Sequence, residues 1–297
     1  MSPRNRLNLS LLLLLLLLLL AVWLTDTAPP PTAALPHLTG PAASAIDTIT
    51  LSRRGEAAIA LQRRAGVWYL TAPFQIRANP LHASSIAAFA SAETLRQLPF
   101  TAADAAQYGV EDPTLRVTFN GDQQQQLQVG DRSPLDQRYY LRQADTLHLM
   151  DERSWQRLNR RAIDLVDSAL LPPNATITRL ALPDLILQQE PERGAWQQLS
   201  ADATSAPQPL NADRANTLID EWRYARAITL NPHAEATRGE PITITFTTPA
   251  NGSETITWQL IERSPDLVLL HPDQPIRYHL PESAATRLLQ LPPIEGA

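Results

Sequence analysis

Apolar positions fall into two regimes along the chain. From Leu7 to Leu24 they form one run of 18 residues, broken only by Asn8 and Ser10. Beyond residue 46 they come in short alternating stretches. Ile49 and Leu51, then Ile59 and Leu61, have the period of two expected of half-buried strands. The same succession returns later. "DTITLS" (47–52) and "AAIALQRRAGVWYL" (57–70) are echoed by "ATITRLAL" (175–182) and "DLILQQEPERGAWQQL" (184–199). Both the Thr-Ile-Thr and the Gly-x-Trp phrases recur at an offset of 128 residues. Each Gly-x-Trp stretch is expected to be the third strand of a meander, with the indole closing one edge of the core.

A helix follows in each copy. "NPLHASSIAAFASAETLRQL" (79–98) begins with Asn79 as N-cap and Pro80 at the first helical position, where the missing N–H costs nothing. "NADRANTLIDEWRYARAI" (211–228) begins likewise with Asn211, and Asp213 sits in its first turn. Ile86, Phe89, Ala90 and Leu95 make one apolar stripe; Leu218, Ile219, Trp222 and Ala225 make the other. "YGVEDPTLRVTFN" (108–120) then pairs with "TRGEPITITFTTP" (237–249), and hairpin signals follow at 120–122 ("NGD") and 251–253 ("NGS"). Three more strands and a short helix (151–161 or 281–291) close each copy. The expected fold is α+β: two tandem repeats, each a mostly antiparallel sheet with two helices in the order β-β-β-α-β-β-β-β-α. The repeats span 46–171 and 172–292, with a tail at 293–297.

The leucine run would make a helix roughly 27 Å long at about 1.5 Å per residue, close to a hydrocarbon core of ~30 Å. We expect residues 7–24 to be an uncleaved transmembrane signal-anchor. A cleaved signal peptide is the competing reading, but its apolar region normally spans about 7–15 residues and no clean small-x-small site precedes Pro29. Arg4 and Arg6 would keep a 1–6 tail in the cytoplasm and send the rest outward, into the periplasm of a Gram-negative bacterium. Residues 25–45 are rich in Pro and Ala and are expected to be an extended linker.

The composition narrows the function classes. Cysteine is absent, so there are no disulfides, thiolate metal sites or lipidated cysteine. Every basic residue is arginine. Net charge is −5, and without Arg4 and Arg6 the 25 basic residues fall to 23 against 30 acidic ones. That sign lacks the electrostatic footprint of a nucleic-acid binder.

Candidate chemistry is sparse. No histidine pair has zincin spacing, and no serine-hydrolase elbow, Walker loop or dinucleotide-binding glycine series occurs. His148 and His279 hold equivalent strand positions and are expected to face solvent. Asp131, Arg132, Asp136 and Arg138 would form either a recognition edge or a solvated hairpin tip. Trp68, Trp196, Trp222 and Trp258 read as core rather than as an exposed glycan platform. No catalytic, cofactor-binding or metal-ligating residue is assigned.

"GVWYLTAP" before a capped helix, then "YGVEDPTLRVTF" and "VGDRSPLDQRYYL", resembles the bacterial domain-of-unknown-function family 4340. The resemblance is good over 46–165 and weaker over 175–292, where Tyr108 has no aromatic counterpart and no glycine matches Gly130. It implies an N-terminally anchored envelope protein, sometimes encoded near ABC-type transport components, with no known activity or catalytic residues. The expected function is therefore non-catalytic: a single-pass inner-membrane protein whose two domains bind an envelope partner, such as an ABC-type transporter, or act as a scaffold. The alternative is an enzyme acting on an envelope polymer or lipid-linked substrate at the cleft between repeats, with Asp104, Glu111 or Asp131 converging on Asp273.

Overall fold

The computed structural model describes residues 11–21, 35–200, 206–233, 238–249 and 252–293. The chain forms two compact units, Met1–Pro36 and His37–Ala297. In the first, residues 11–21 form helix α1, whose ten leucines are each 50–60% exposed. Among the described residues no helix is long and apolar enough to cross a membrane. The expected 7–24 span runs past α1 at both ends, and with residues 1–6, 25–34 and 294–297 its flanks lie outside the described residues.

Among the described residues the second unit holds two nine-stranded sheets. The first is built from β1 (Thr48–Arg53), β2 (Ile59–Arg64), β3 (Val67–Ala72), β4 (Ile76–Arg77), β5 (Arg96–Leu98), β6 (Leu115–Phe119), β7 (Asp122–Arg132), β8 (Tyr139–Gln143) and β9 (Thr146–Met150). Helices α2 (Pro80–Ala88) and α3 (Glu152–Leu158) accompany it. The second is built from β10 (Thr176–Ala181), β11 (Ile186–Gln189), β12 (Trp196–Leu199), β13 (Gln208–Pro209), β14 (Thr229–Pro232), β15 (Glu240–Thr248), β16 (Gly252–Glu262), β17 (Leu267–Leu270) and β18 (Ile276–Leu280). Its helices are α4 (Ala212–Tyr224) and α5 (Ser283–Leu289). The strand orders are β4-β3-β2-β1-β6-β7-β8-β9-β5 and β13-β12-β11-β10-β15-β16-β17-β18-β14. Adding nine to every label of the first gives the second, and every named pairing is antiparallel in both.

Local chemistry accounts for the turns and helix starts. Ala65 and Gly66 both have positive φ (47° and 81°), as do Asn120 and Gly121 (51° and 72°). That is the two-residue turn whose twist matches antiparallel strands. Asn79 Oδ1 accepts from the amides of Leu81 and His82, and Asn211 Oδ1 from those of Asp213 and Arg214, so both predicted caps form. The alternating residues Ile49, Leu51, Leu61, Trp68 and Leu70 are 3% exposed or less. Each such side chain contributes about 1.5–3 kcal/mol by leaving water.

The pattern differs from expectation in three places. Among the described residues each repeat has nine strands, the additional ones being β4 and β13, only two residues long, and the short edge strands β5 and β14. The helix expected over 79–98 ends at Ala88 with a 3-10 turn at Phe89–Ser91. Leu95 is therefore not on its apolar stripe; its amide donates to Leu149 O at 2.9 Å and its side chain is 41% exposed. Sheet pairing has overridden helical period there. Likewise α4 stops at Tyr224, and Ala225 O accepts from Leu170 N.

The buried apolar residues of both repeats form one continuous cluster, from Leu38 to Leu288. A smaller cluster of Ala105, Val110 and Leu147, joined by Phe100, Tyr108 and Tyr140, covers the other face of β9. His148 points from β9 to the face opposite Leu147 and is buried there too, which corrects its expected exposure to solvent. It is 3% exposed, bonded through Nδ1 to Thr94 Oγ1 at 2.9 Å, and burial pushes its pKa down.

Candidate functional site

The two sheets meet along the connecting segment 162–172. Asn79 N donates to Leu165 O at 2.7 Å, Asp167 N to Arg77 O at 3.0 Å, and Ala227 N to Ser168 O at 2.9 Å. The segment thus exchanges backbone bonds with β4 and the start of α2 on one side and with the chain after α4 on the other. At its centre Asp167 is 7% exposed. Its Oδ2 accepts from Arg77 Nε at 2.7 Å and its Oδ1 lies 3.3 Å from Arg226 Nη1. Arg77 Nη2 also donates to Ala169 O and Leu171 O, at 3.2 and 2.8 Å. One carboxylate therefore ties an arginine of each repeat. Tyr278 Oη of the second sheet donates to Asp167 O at 3.2 Å.

Two cavities open along this seam, and Arg77 and Asp167 line both. The larger, about 630 Å³, is walled by Trp68, Arg77, Pro172, Arg223, Tyr224 and Arg226 among others. It falls in the size range of small-ligand sites. The smaller, about 310 Å³, is bounded by Glu254, Trp258, His271, Asp273 and Tyr278 of the second sheet. Trp258 packs edge-on against His271 and Tyr278, with ring centres 5.1 and 4.9 Å away. His271 Nδ1 accepts from Asp273 N at 3.2 Å. Burial pushes the His271 pKa down to about 4, so the ring is neutral and carries its proton on Nε2. Burial raises the Tyr278 phenol well above its usual range, which keeps it a donor. Trp258 Nε1 and Glu254 Oε1 are buried without a hydrogen bond inside the protein.

The acids considered for a catalytic cleft are not brought together. Asp273 lines the smaller cavity, whereas Asp104 accepts from Thr101 Oγ1, Glu111 is exposed, and Asp131 lies at the exposed end of β7 against Gly109. None of those three lines the cavity of Asp273. Asp131, Arg132, Asp136 and Arg138 occupy the β7–β8 hairpin tip. There Arg132 pairs with Glu152 at 3.2 Å, and a hydrogen bond from Ser133 chiefly holds the Asp136 carboxyl below its ordinary value. His279 pairs with Asp266 at 3.8 Å. Among the described residues no three His, Cys, Asp or Glu side chains converge as metal ligands. The four tryptophans Trp68, Trp196, Trp222 and Trp258 are 6% exposed or less.

Sequence reasoning missed Arg77, Asp167, Arg223, Arg226 and His271. One signal was present for Asp167: an acid inside the apolar run "LVDSALL" (165–171) must find a partner.

The family model described as Domain of unknown function (DUF4340) matches residues 41–238, more than half of the chain. The chain belongs to the DUF4340 family. The matched stretch covers the first repeat, the connecting segment and the second repeat through α4 and β14. The DUF4340 match thus includes both arginines of the seam and the carboxylate between them. Neither the curated proteins nor the solved structures yielded a match to the chain.

Proposed function

We propose that this DUF4340 protein is a single-pass, membrane-anchored binding module. In this reading residues 7–24 cross the bacterial inner membrane with the N-terminus in the cytoplasm. The two repeats then stand in the periplasm as a non-catalytic scaffold or transporter-accessory body. The observation that carries the reading is α1, where ten consecutive leucines are each at least half exposed. A leucine moved out of water gains about 1.5–3 kcal/mol, so such a helix calls for lipid around it. The continuous core supports the second half of the reading, because it would let both repeats meet an envelope partner as one rigid surface.

The test is co-purification of the tagged full chain from cross-linked, detergent-solubilised membranes beside a tagged control carrying only residues 1–45. A discrete membrane protein enriched with the full chain and missing from the control is the expected result. Identical profiles for the two would refute the scaffold role. The enzymatic alternative draws on the smaller cavity, where Glu254, His271 and Asp273 share one wall at the seam. Turnover of an envelope polymer or lipid-linked substrate that is abolished by Glu254→Gln or Asp273→Asn would favour it over the scaffold.

A further inference from the structure

We propose that the 630 Å³ seam cavity binds a small organic anion: a carboxylate or phosphate carried on an apolar body. This stands independently of whether the protein also docks a partner.

The charge of the lining is the first ground. Three guanidinium groups, from Arg77, Arg223 and Arg226, face one lining carboxylate, that of Asp167. The chain as a whole carries −5, so the cavity inverts the sign of the molecule around it. A concave site of one sign with low-dielectric walls concentrates field and attracts the opposite ion.

The second ground is unused donor capacity. Asp167 occupies Arg77 Nε and Arg226 Nη1, and the outer Asp220 pairs with Arg223 Nη1 at 3.2 Å. Arg223 Nε remains buried with no hydrogen-bond partner. A buried guanidinium N–H left unbonded costs on the order of 1–3 kcal/mol, and a carboxylate or phosphate that turned the Arg223 side chain, 32% exposed, toward the cavity would give it a bidentate acceptor. The third ground is the rest of the wall. Trp68, Val67, Leu171, Pro172 and Pro173 supply apolar surface, and the side chain of Tyr224, 71% exposed, stands at the rim. Inorganic ions would leave that surface unused, whereas an anion with a ring or short chain covers it.

Arg223 is the residue to change, because it touches the cavity without touching Asp167. The full chain in non-ionic detergent is titrated calorimetrically with 4-nitrobenzoate, with 4-nitrophenyl phosphate, and with neutral 4-nitrobenzamide. We expect saturable binding of at least one anion, its Kd at least about tenfold tighter than that of the amide. Arg223→Gln should weaken the anion about tenfold, while Arg54→Gln, whose partner Asp112 lies far along the first repeat, should leave it unchanged. Preference for phosphate or for carboxylate identifies which head group the site takes. No saturation by either anion at millimolar concentration overturns the proposal, as does equal binding of the amide. Should Arg223→Gln fail to unfold with a wild-type profile, Arg223→Lys replaces it; an anion affinity unmoved by the folded variant is the third contrary result.

Discussion

Asp167 concentrates the energetics of the seam in one side chain. Its carboxylate is 8% exposed and the Arg77 side chain only 16%, so removing the acid strands a nearly buried guanidinium. Breaking a pair of that kind costs about 3–5 kcal/mol. Asp167→Ala should lower stability by that amount in denaturant titration, and Asp167→Asn, which keeps an acceptor, by clearly less. His271 adds a pH signature. The folded ring titrates at about 4, the unfolded one at about 6.5, so the unfolded state takes up the proton first as pH falls. Stability should be complete above pH ~6.5 and decline toward pH 4. His148, also depressed by burial, acts in the same direction. In His271→Asn the decline between those limits should be shallower than in the wild type; an unchanged slope would exclude the assignment.

Single elements show why the duplication survives divergence in detail. A Cβ on Gly130 in β7 would run into the carbonyl of Tyr108, and in the second repeat it is Gly239 that lies against the carbonyl of Leu260. The close backbone approach is thus kept while the glycine changes sides, which explains why no glycine matches Gly130. Gly130→Ala should cost about 1–3 kcal/mol or more, because a carbonyl cannot swing away like a side-chain tip. Gly121→Ala, whose Cβ would meet nothing within 4 Å, should cost only its positive φ, about 1 kcal/mol. Thermal unfolding of the pair tests that order.

The order of long strands and both helix caps were legible in the sequence because alternation and N-cap chemistry are local. The strands β4, β5, β13 and β14 were not, since two to four residues carry no period and only pairing defines them. For the same reason His148 was misjudged: β9 alternates as though one face were wet, yet Leu147, His148 and Leu149 are all buried. The seam was illegible too. Arg77 and Asp167 lie 90 residues apart, and no local pattern predicts that contact.

Across the whole molecule, the shared core argues that the repeats do not melt independently. Residues 37–297 should unfold in one calorimetric transition with van't Hoff and calorimetric enthalpies equal, and two resolved transitions would separate the repeats. The proposed function adds a claim about place: a leucine helix in the bilayer and the body outside the cytoplasm. The chain contains no cysteine, so Leu135→Cys, at a position 95% exposed on the β7–β8 tip, introduces a single reactive thiol. Treating intact spheroplasts with a membrane-impermeant maleimide and then separating membranes from soluble protein tests the account directly. It predicts labelling without lysis, with all label in the membrane pellet. Labelling only after lysis, or labelled protein in the soluble fraction, contradicts it.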